Sequence, residues 1–394
     1  MINIAENLTV IHNKTDLTKN FGRDASGAAH SFHKTFPDYN PTPLIELNGL
    51  ANQLSVKNIW LKDESHRFGL NAFKVLGASY AVAKLFAEMF GVNEKELSYS
   101  IFTETTIREK TKDLTLVTAT DGNHGRGVAW TAKQIGCKSV VYMPKGTKQS
   151  RSDNIKSLGA DVYIIDGNYD DASYLARENA EKFGWILVQD SSWEGYEKIP
   201  LWIMQGYLTL MHESFEQLSG EIPTHFFVQC GVGSLPAAVQ AYLVNQFGND
   251  RPLFAIVEPN DAACVYESFV AGDGNVHTLT NEIHTIMAGL ACGTPSKLAW
   301  EIMRDYSNYF ITCDDEVTKS GMDILAKGTF GDDKIISGES GAVTTGLIHK
   351  LLSDSAYRQL TEKLKLNSDT KIFLISTEGD TDPKIYKKIT QETL

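Results

Sequence analysis

The 394-residue sequence contains few cysteines and no paired cysteine motif. Its five cysteines are odd in number, lie far apart and never form a Cys-x-x-Cys pair, which argues against a disulfide scaffold or a thiolate zinc site. We expect most of them to be buried as small hydrophobic residues. A single pairing, for instance of Cys264 with Cys292, stays open because the sequence gives no distance between them.

The sequence also lacks an excess of basic residues and a long apolar run. Its formal net charge is -12 and its pI is near 5.3, so bulk electrostatics disfavour binding to nucleic acids or anionic membranes. The first residues contain no basic segment followed by an apolar core, and no run approaches membrane-spanning length. We therefore expect a cytoplasmic globular protein with no nucleic-acid partner, no membrane partner and no metal site.

What the sequence does contain is an alternation of short apolar runs and helical stretches. One series begins near residue 114 and a second near residue 226. Strands that alternate with helices form parallel sheets with both faces covered. The sequence therefore predicts an α/β protein with two open, mostly parallel three-layer αβα domains and a ligand site in the cleft between them. We place the large domain at residues 1–83 and 192–394 and the small domain at residues 84–191.

A glycine-rich turn, GVGSL at residues 231–235, follows the apolar run FFVQC and precedes an apolar helix. Backbone amides at such a helix start, together with the Ser234 hydroxyl, can hold a phosphate. The turn fails as a dinucleotide fingerprint, because Pro236 stands where the third glycine belongs and Glu258 lies too late for the ribose acid. From the residues alone, a phosphate site and a tight turn without a ligand are equally good interpretations.

Lys74 lies in an unusually apolar setting within RFGLNAFKVLGASY, residues 67–80. A helix that starts near Asn71 would direct Lys74 towards the interior. Burial lowers the pKa of an ammonium group, so such a lysine can be a nucleophile, a base and the Schiff-base partner of an aldehyde cofactor. The alternative is an ordinary lysine whose stem covers apolar surface and whose charge reaches solvent. The apolar and small neighbours at helical spacing are Leu70, Phe73, Leu76 and Gly77.

A second polar turn, TDGNHG at residues 120–125, follows the apolar run LTLVTAT. Its backbone amides can bind a substrate carboxylate, Asn123 can donate to a phenolic oxygen, and Asp121 can act as a base. The alternative is structural, since Asp, Asn and Gly are common turn and capping residues. His124 taken alone is more typical of a helix start than of a catalyst.

Several separated motifs together resemble the β-family of pyridoxal-phosphate enzymes, which is the fold type II or tryptophan synthase β-like group. These motifs are NAFK, GNHG, GVGSL, SGESGAV and STEGD, and they keep the family's order. Over about residues 41–382, longer motifs are similar to the diaminopropionate ammonia-lyase family: RFGLNAFK, ATDGNHGRGVAW, VYMPKG, YDD, QDSSWEGY, KIPLWIMQGY, IMAGLACG, IISGESGAV and ISTEGDTD. The resemblance implies pyridoxal 5'-phosphate as the cofactor and a small amino acid as the substrate.

The resemblance assigns roles to the residues that carry the matching motifs. It implies that Lys74 forms the Schiff base with the cofactor, that Asn123 lies beside the phenolic oxygen, and that Ser376 faces the pyridine nitrogen. A neutral hydroxyl there makes the ring a weaker electron sink, which favours early loss of a β-substituent. Glu339 would line the pocket without an assigned step. The phosphate would be held by Gly231, Val232, Gly233, Ser234 and Leu235, and the substrate by Thr120, Asp121, Asn123, His124 and Asp190.

Asp121 departs from the serine and threonine dehydratase pattern, in which a small residue precedes the GN pair. An acid at this position can attract a second ammonium group of the substrate. It can also act as a base on the face of the α-carbon opposite Lys74, which would allow both enantiomers to react. Asp190, at the end of the run WILVQD, resembles the family's other active-site acid.

The resemblance therefore implies a homodimeric carbon-nitrogen lyase that converts D- and L-2,3-diaminopropionate to pyruvate and two ammonia molecules. Lys74, Asp121 and Asp190 would be its catalytic residues. One alternative is a serine or threonine dehydratase of the same fold, and the two aspartates speak against it. Another is an NAD-binding α/β oxidoreductase or sensor, which the missing third glycine and the setting of Lys74 disfavour.

Overall fold

The computed structural model describes residues 1–11, 14–120 and 122–391 of the chain. Its strands form two separate sheets, one of seven strands and one of four. In chain order, the strands of the described residues are β1 (Asn3–Glu6), β2 (Leu44–Glu46), β3 (Asn58–Asp63), β4 (Thr115–Ala119), β5 (Lys138–Met143), β6 (Asp161–Ile164), β7 (Ile186–Leu187), β8 (His225–Gln229), β9 (Leu253–Pro259), β10 (Tyr309–Cys313) and β11 (Lys371–Ser376).

Helices cover both faces of these sheets. In chain order, the α-helices within the described ranges are α1 (Arg23–Lys34), α2 (Asn48–Gln53), α3 (Val75–Phe90), α4 (Ser100–Thr103), α5 (Thr105–Thr111), α6 (Asn123–Ile135), α7 (Gln149–Lys156), α8 (Tyr169–Phe183), α9 (Lys198–Gln217), α10 (Ser234–Phe247), α11 (Cys264–Ala271), α12 (Lys297–Tyr306), α13 (Asp315–Lys327), α14 (Val343–Ser353), α15 (Arg358–Lys363) and α16 (Pro383–Thr390). Short 3-10 helices lie at Thr18–Phe21, Glu64–Gly69, Glu94–Glu96, Gly248–Asp250, Asn260–Ala262, Ala288–Leu290 and Ser355–Tyr357.

The four-stranded sheet is parallel throughout and has the order β6-β5-β4-β7. Successive side chains of β5 point to opposite faces. Val140 and Tyr142 pack on one face against alanines of α8, whereas Val141 and Met143 pack on the other face against α6 and α7. Because both faces of a central strand are buried, such strands appear in the sequence as continuous apolar runs.

The seven-stranded sheet has the order β1-β10-β9-β8-β11-β3-β2. Its five central strands are parallel, and β1 and β2 pair antiparallel at the two edges. Phe226 and Phe227 of β8 are buried in core clusters on opposite faces of the sheet. One cluster contains residues of α3, α9 and α10, and the other contains residues of α13 and α14. This arrangement gives the sheet a layer of helices on each face.

The predicted α/β architecture is confirmed, and the structure adds strands that the apolar pattern does not reveal. Both edge strands β1 and β2 are short and partly exposed, so their apolar signal is weak. All strands of the four-stranded sheet lie between Thr115 and Leu187. The domain boundaries at residues 83/84 and 191/192 stay a prediction.

The helix that follows the lysine segment begins later than the sequence predicts. Asn71 has a positive φ of 58°, and α3 starts at Val75, so the prediction of a helix starting near Asn71 is wrong. Ala72 forms an isolated antiparallel bridge with Glu378, which ties this turn to the chain after β11. A residue in the left-handed region cannot continue a right-handed helix. Lys74 is therefore placed by a turn, directly before α3.

Two further findings concern the cysteines and the helix lengths. All five cysteines lie within the described residues and none forms a disulfide there, so Cys264 and Cys292 are not paired with each other in this structure. Four of the five are buried, and Cys137 is partly exposed. Among the helices of the described residues, none has both the length and the apolar character needed to cross a bilayer.

Candidate active site

A buried cluster of four charged side chains supports the turn that leads to Lys74. Arg67 donates from Nη1 to Glu213 Oε1 at 2.7 Å and from Nη2 to Glu64 Oε1 at 2.8 Å. Lys62 donates to Glu213 Oε2 at 2.8 Å. All four side chains are at most 1% exposed, and their charges balance as two cations and two anions. Because every buried charge has a partner, the cluster holds this turn rigidly.

Lys74 and Asp190 form an ion pair at the centre of the site. Lys74 Nζ lies 2.6 Å from Asp190 Oδ2. The Lys74 side chain is 16% exposed and the Asp190 side chain is 3% exposed, so the lysine is the more accessible partner. Lys74 precedes α3, and Asp190 follows β7 of the smaller sheet. The fold thus joins two predicted catalytic residues that are 116 positions apart in the sequence.

The surroundings of Asp190 favour its ionised form. Burial by itself raises the pKa of Asp190, but the charges of His124 and Lys74 outweigh burial and lower the pKa to about 2. His124 Nδ1 lies 3.7 Å from Asp190 Oδ2, and His124 Nε2 donates to the Val188 carbonyl oxygen at 2.7 Å. Ser234 Oγ donates to the backbone carbonyl oxygen of Asp190 at 2.5 Å. Asp190 therefore presents an anionic oxygen to the Lys74 amine at neutral pH.

A cavity that opens to solvent surrounds this ion pair. Predicted site residues from both sheets meet on its walls. They are Lys74, Asn123, Asp190, Gly231, Val232, Gly233, Ser234 and Leu235. Lining residues that the sequence analysis missed include Phe73, Tyr207, Gln229, Gly289, Leu290, Ser340, Thr377 and Glu378.

The glycine turn has a shape that side chains would disturb at two positions. A Cβ added at Gly231 would lie 3.0 Å from the Gly289 carbonyl oxygen. Gly233 has a φ of +102°, which L side chains rarely adopt, and α10 begins at the next residue, Ser234. The first amides of a helix have no intrahelical partner and can bind an anion. The turn can therefore hold a phosphate through its backbone, whereas the Ser234 hydroxyl proton already bonds to the Asp190 carbonyl.

Asn123 is held in position by an acid on the cavity wall. Asn123 Nδ2 donates to Glu378 Oε2 at 2.5 Å. The other oxygen, Glu378 Oε1, accepts from the Ser340 amide at 3.0 Å. Glu378 is only 1% exposed, so both bonds lie in a buried environment. The sequence analysis missed Glu378 as a site residue, although the motif STEGD contains it.

The hydroxyl that lines the cavity after β11 belongs to Thr377, whereas Ser376 points elsewhere. Ser376 Oγ donates to Ser337 Oγ at 2.7 Å, and both serines are fully buried. Thr377 lines the cavity, and its Oγ1 accepts from Gln229 Nε2 at 3.0 Å. Because this bond uses a lone pair, the Thr377 hydroxyl can donate its proton to a ligand. That Ser376 faces a pyridine nitrogen stays a prediction, and Thr377 is a second candidate for that role.

Among the described residues of the predicted substrate loop, Asn123 reaches the cavity and two others do not. Asn123 lines the cavity, whereas Thr120 and His124 are buried away from it, each 1% exposed. Thr120 Oγ1 accepts from the Gly122 amide at 2.9 Å. His124 acts on Asp190, so in this geometry it is a positioning residue, and direct contact of His124 or Thr120 with substrate stays a prediction. Asp121 lies outside the described residues.

Two further acids that the sequence analysis noted are buried. Glu258 accepts from the Val265 and Tyr266 amides at 2.9 and 2.7 Å and so binds the start of α11. Burial raises the pKa of Glu258 to about 8. Burial and the charge of Glu378 raise the pKa of Glu339 to about 7. The Glu258 side chain therefore accepts hydrogen bonds from the first amides of α11. Glu339 is not among the described residues that line the cavity.

Pyridoxal phosphate fits the donors that this cavity presents. Such a cofactor needs an amine for its aldehyde, an anion site for its phosphate, and hydrogen-bond donors for its phenolic oxygen and ring nitrogen. Lys74, the glycine turn, Asn123 and Thr377 offer these groups around one cavity. A Cβ at Gly231 would lie 3.0 Å from the Gly289 carbonyl oxygen, so the glycine lets the turn pack closely against this neighbouring backbone.

Comparison with known proteins leads to the same cofactor and to one reaction. The family model described as pyridoxal-phosphate dependent enzyme matches residues 35–364. A diaminopropionate ammonia-lyase from Salmonella typhimurium is 48% identical over 363 residues, which cover 91% of this chain and 90% of that protein. Crystal structures of diaminopropionate ammonia lyase from Escherichia coli, in complex with D-serine and with an aminoacrylate-PLP azomethine reaction intermediate, match with TM-scores of 0.92 and 0.91. They are 44% and 45% identical, and each match covers 99% of this chain and 97% of the other.

Proposed function

The chain belongs to the family of pyridoxal-phosphate-dependent enzymes, and we propose that it catalyses the α,β-elimination of 2,3-diaminopropionate. One water molecule is consumed, and the products are pyruvate and two molecules of ammonia. The observation that carries the proposal is the ion pair of Lys74 and Asp190 inside a cavity that the glycine turn also lines. Membership of this family argues against an NAD-binding oxidoreductase or sensor, because the cofactor of the family is pyridoxal phosphate.

Pyridoxal phosphate supplies, when bound, an aldehyde that amines can attach to and a conjugated ring that withdraws electrons from the substrate α-carbon. We assign attachment to Lys74, the phenolic oxygen to Asn123, and the phosphate to the amides of Gly231, Val232, Gly233, Ser234 and Leu235. A neutral hydroxyl, from Thr377 or Ser376, would face the ring nitrogen. A hydroxyl does not stabilise a protonated ring as a carboxylate would, which favours early loss of the β-substituent.

Lys74 would also act as a base. When its amine is not attached to the cofactor, it would take the proton from the substrate α-carbon. Asp190 Oδ2, 2.6 Å from Nζ, stabilises the ammonium that this transfer produces. A positioned general base contributes about 10²–10⁴-fold to the rate.

Asp190 also supplies the negative charge that the leaving nitrogen needs. The β-nitrogen must leave in its protonated form, because free amide ion is a very poor leaving group. With a pKa of about 2, the Asp190 carboxylate stays ionised and favours a β-ammonium group over the neutral hydroxyl of serine. This preference is the physical difference between the proposed activity and a serine or threonine dehydratase.

Asp121 is the base that we assign to the face of the α-carbon opposite Lys74. Two bases on opposite faces would allow both D- and L-2,3-diaminopropionate to react. The Escherichia coli relative has been crystallised with D-serine, which supports a cavity that admits D-amino acids. Thr120 and His124 would contribute indirectly, through the loop that carries Asp121.

Product analysis of the purified protein tests the proposed function. Pyruvate and ammonia are measured in parallel with 2,3-diaminopropionate, serine and threonine as substrates. We expect two ammonia molecules per pyruvate from 2,3-diaminopropionate, and a kcat/KM at least about tenfold higher than for serine. A preference for serine or threonine would instead identify a dehydratase.

The assembly and location of the protein complete the proposal. The resemblance of the chain to its family implies a homodimer, and the acidic composition suits a cytoplasmic enzyme. Light scattering should give twice the mass of one 43.6 kDa chain, and cell fractionation should find the protein with cytoplasmic markers. A single-chain mass would contradict the homodimer.

A further inference from the structure

We propose that His30, His212 and Glu216 form a binding site for a divalent transition-metal ion such as Zn²⁺, between α1 and α9. One ligand atom from each of the three residues lies within 4.8 Å of the other two. His30 belongs to α1, and His212 and Glu216 belong to α9. No metal site was expected from the sequence. His30 is far from His212 and Glu216 along the chain, so no local motif joins the three residues.

The pair on α9 already has the spacing of two ligands of one ion. His212 and Glu216 are four residues apart, so their side chains lie on the same face of the helix. His212 Nε2 is 3.4 Å from Glu216 Oε1. Two ligand atoms that are each about 2.1 Å from a tetrahedral zinc ion are themselves roughly 3.4 Å apart. The ligand atom of His30 lies within 4.8 Å of both of these atoms, and the His30 ring packs against the His212 ring with the ring centroids 4.3 Å apart.

A hydrogen bond to Tyr39 determines which ring nitrogen of His30 can bind an ion. Tyr39 Oη donates to Glu213 Oε1 at 2.8 Å, so it must accept in its 2.8 Å contact with His30 Nε2. His30 Nε2 therefore carries the proton, and Nδ1 keeps a lone pair. Metal-bound histidines commonly have such a partner on the other ring nitrogen.

The site combines a buried ligand with ligands that solvent can reach. His30 is 7% exposed, whereas the side chains of His212 and Glu216 are 28% and 64% exposed. An ion can therefore enter from solvent and keep water in its remaining positions. Two imidazoles and a carboxylate suit Zn²⁺, Co²⁺ or Ni²⁺. The nearby cation Lys34, four residues after His30, is exposed and opposes binding by charge repulsion.

A metal ion here would link the N-terminal helix α1 to the helix that borders the active site. Tyr207, also in α9, lines the active-site cavity. Because the ion contacts both helices only when they are docked, binding would stabilise the folded protein. The ion would lie outside the cavity lining and would take no part in the elimination, so the site is independent of the proposed function.

Metal titration of the holoenzyme tests the site. Binding of ZnCl₂ is measured by calorimetry, and binding of CoCl₂ by visible absorption outside the cofactor's band. We expect one ion per chain, and we expect His212→Gln and Glu216→Gln each to weaken binding by more than about tenfold. Zinc should raise the thermal unfolding midpoint of the wild type and leave that of His212→Gln unchanged. Diaminopropionate turnover is measured separately and decides nothing about this site.

Two further variants serve as controls. His277 lies 3.0 Å from Asp273, four residues away, and among the described residues no third ligand joins this pair. His277→Gln should therefore bind zinc as the wild type does. Lys34→Gln should bind it more tightly, because a like charge is removed. The proposal is overturned if the wild type binds no ion, if His212→Gln binds as tightly as the wild type, or if the cobalt spectrum shows thiolate ligation.

Discussion

Lys74 Nζ and Asp190 Oδ2 lie 2.6 Å apart. Lys74 follows β3 of the seven-stranded sheet, whereas Asp190 follows β7 of the four-stranded sheet. Asp190 is almost fully buried, so its charge depends on partners such as Lys74 and His124. In the proposed reaction the Lys74 amine accepts the proton of the substrate α-carbon, and the Asp190 carboxylate stays ionised. A substitution of either residue should therefore reduce catalysis much more than it disturbs the folding of the strands at the distant sheet edges.

Replacing Lys74 by alanine should lower kcat/KM for 2,3-diaminopropionate by at least about 10²-fold, because the chain loses both the cofactor's attachment point and a base. Treatment of the wild type with borohydride, followed by mass mapping, should place the pyridoxyl label on residue 74. Lys145→Ala changes an exposed lysine and should leave the activity unchanged. A label on another lysine would contradict the assignment.

Replacing Asp121 by asparagine should separate the two enantiomers of the substrate. If Asp121 and Lys74 act on opposite faces of the α-carbon, kcat/KM should fall by about 10²–10⁴-fold for one enantiomer and much less for the other. The assay compares D- and L-2,3-diaminopropionate under identical conditions. Asp166→Asn, at an exposed acid, is the matched control. An equal loss for both enantiomers would show that Asp121 has a different role.

Replacing Gly231 by alanine should weaken binding of pyridoxal phosphate. The new Cβ would lie 3.0 Å from the Gly289 carbonyl oxygen and 3.2 Å from Cys292 Sγ. The turn or one of these neighbours must therefore shift its position. Such overpacking costs about 1–3 kcal/mol, which corresponds to roughly 5- to 150-fold in cofactor affinity. Fluorescence titration with the cofactor measures the change. Gly27→Ala, which meets nothing within 4 Å in α1, should bind the cofactor normally.

Variants of Thr377 and Ser376 should show which hydroxyl faces the ring nitrogen. Thr377 lines the cavity, so Thr377→Val should weaken cofactor binding and shift the absorption band of the bound cofactor. The expected loss is about 1 kcal/mol, which is typical of one hydrogen bond. Ser376→Ala removes a bond to Ser337 and should lower stability while leaving the absorption band in place. The reverse result would favour the assignment to Ser376 that the sequence motif suggests.

Glu258 should make stability depend on pH. Burial raises the pKa of Glu258 from its ordinary 4.5 to about 8, so between these values the folded protein keeps a proton that the unfolded chain releases. Stability then falls as pH rises through this range, by up to about 1.4 kcal/mol per pH unit. Glu258→Gln stays neutral, so its unfolding free energy relative to the wild type should increase from about pH 5 to pH 8. Urea denaturation at both pH values measures this, and a constant difference would contradict the prediction.

The sequence by itself determined the fold class, and it pointed to several residues that the structure places around one cavity. The alternation of apolar runs and helices indicated two parallel sheets because central strands are buried on both faces. The glycine turn at residues 231–235, Asn123 and Lys74 were each recognisable because they lie in short motifs. Gly233 has a φ of +102°, so the shape of its turn is set within a few residues.

Only the tertiary structure decided which side chains meet. The contacts of Lys74 with Asp190 and of Asn123 with Glu378 join segments that are 116 and 255 positions apart, so no local pattern specifies them. Ser376 and Thr377 are neighbours in the sequence, and the motif that contains them does not specify which of the two side chains faces the cavity. Adjacent residues of an extended chain point to opposite sides, so only the packing around the strand end determines which hydroxyl reaches the cavity.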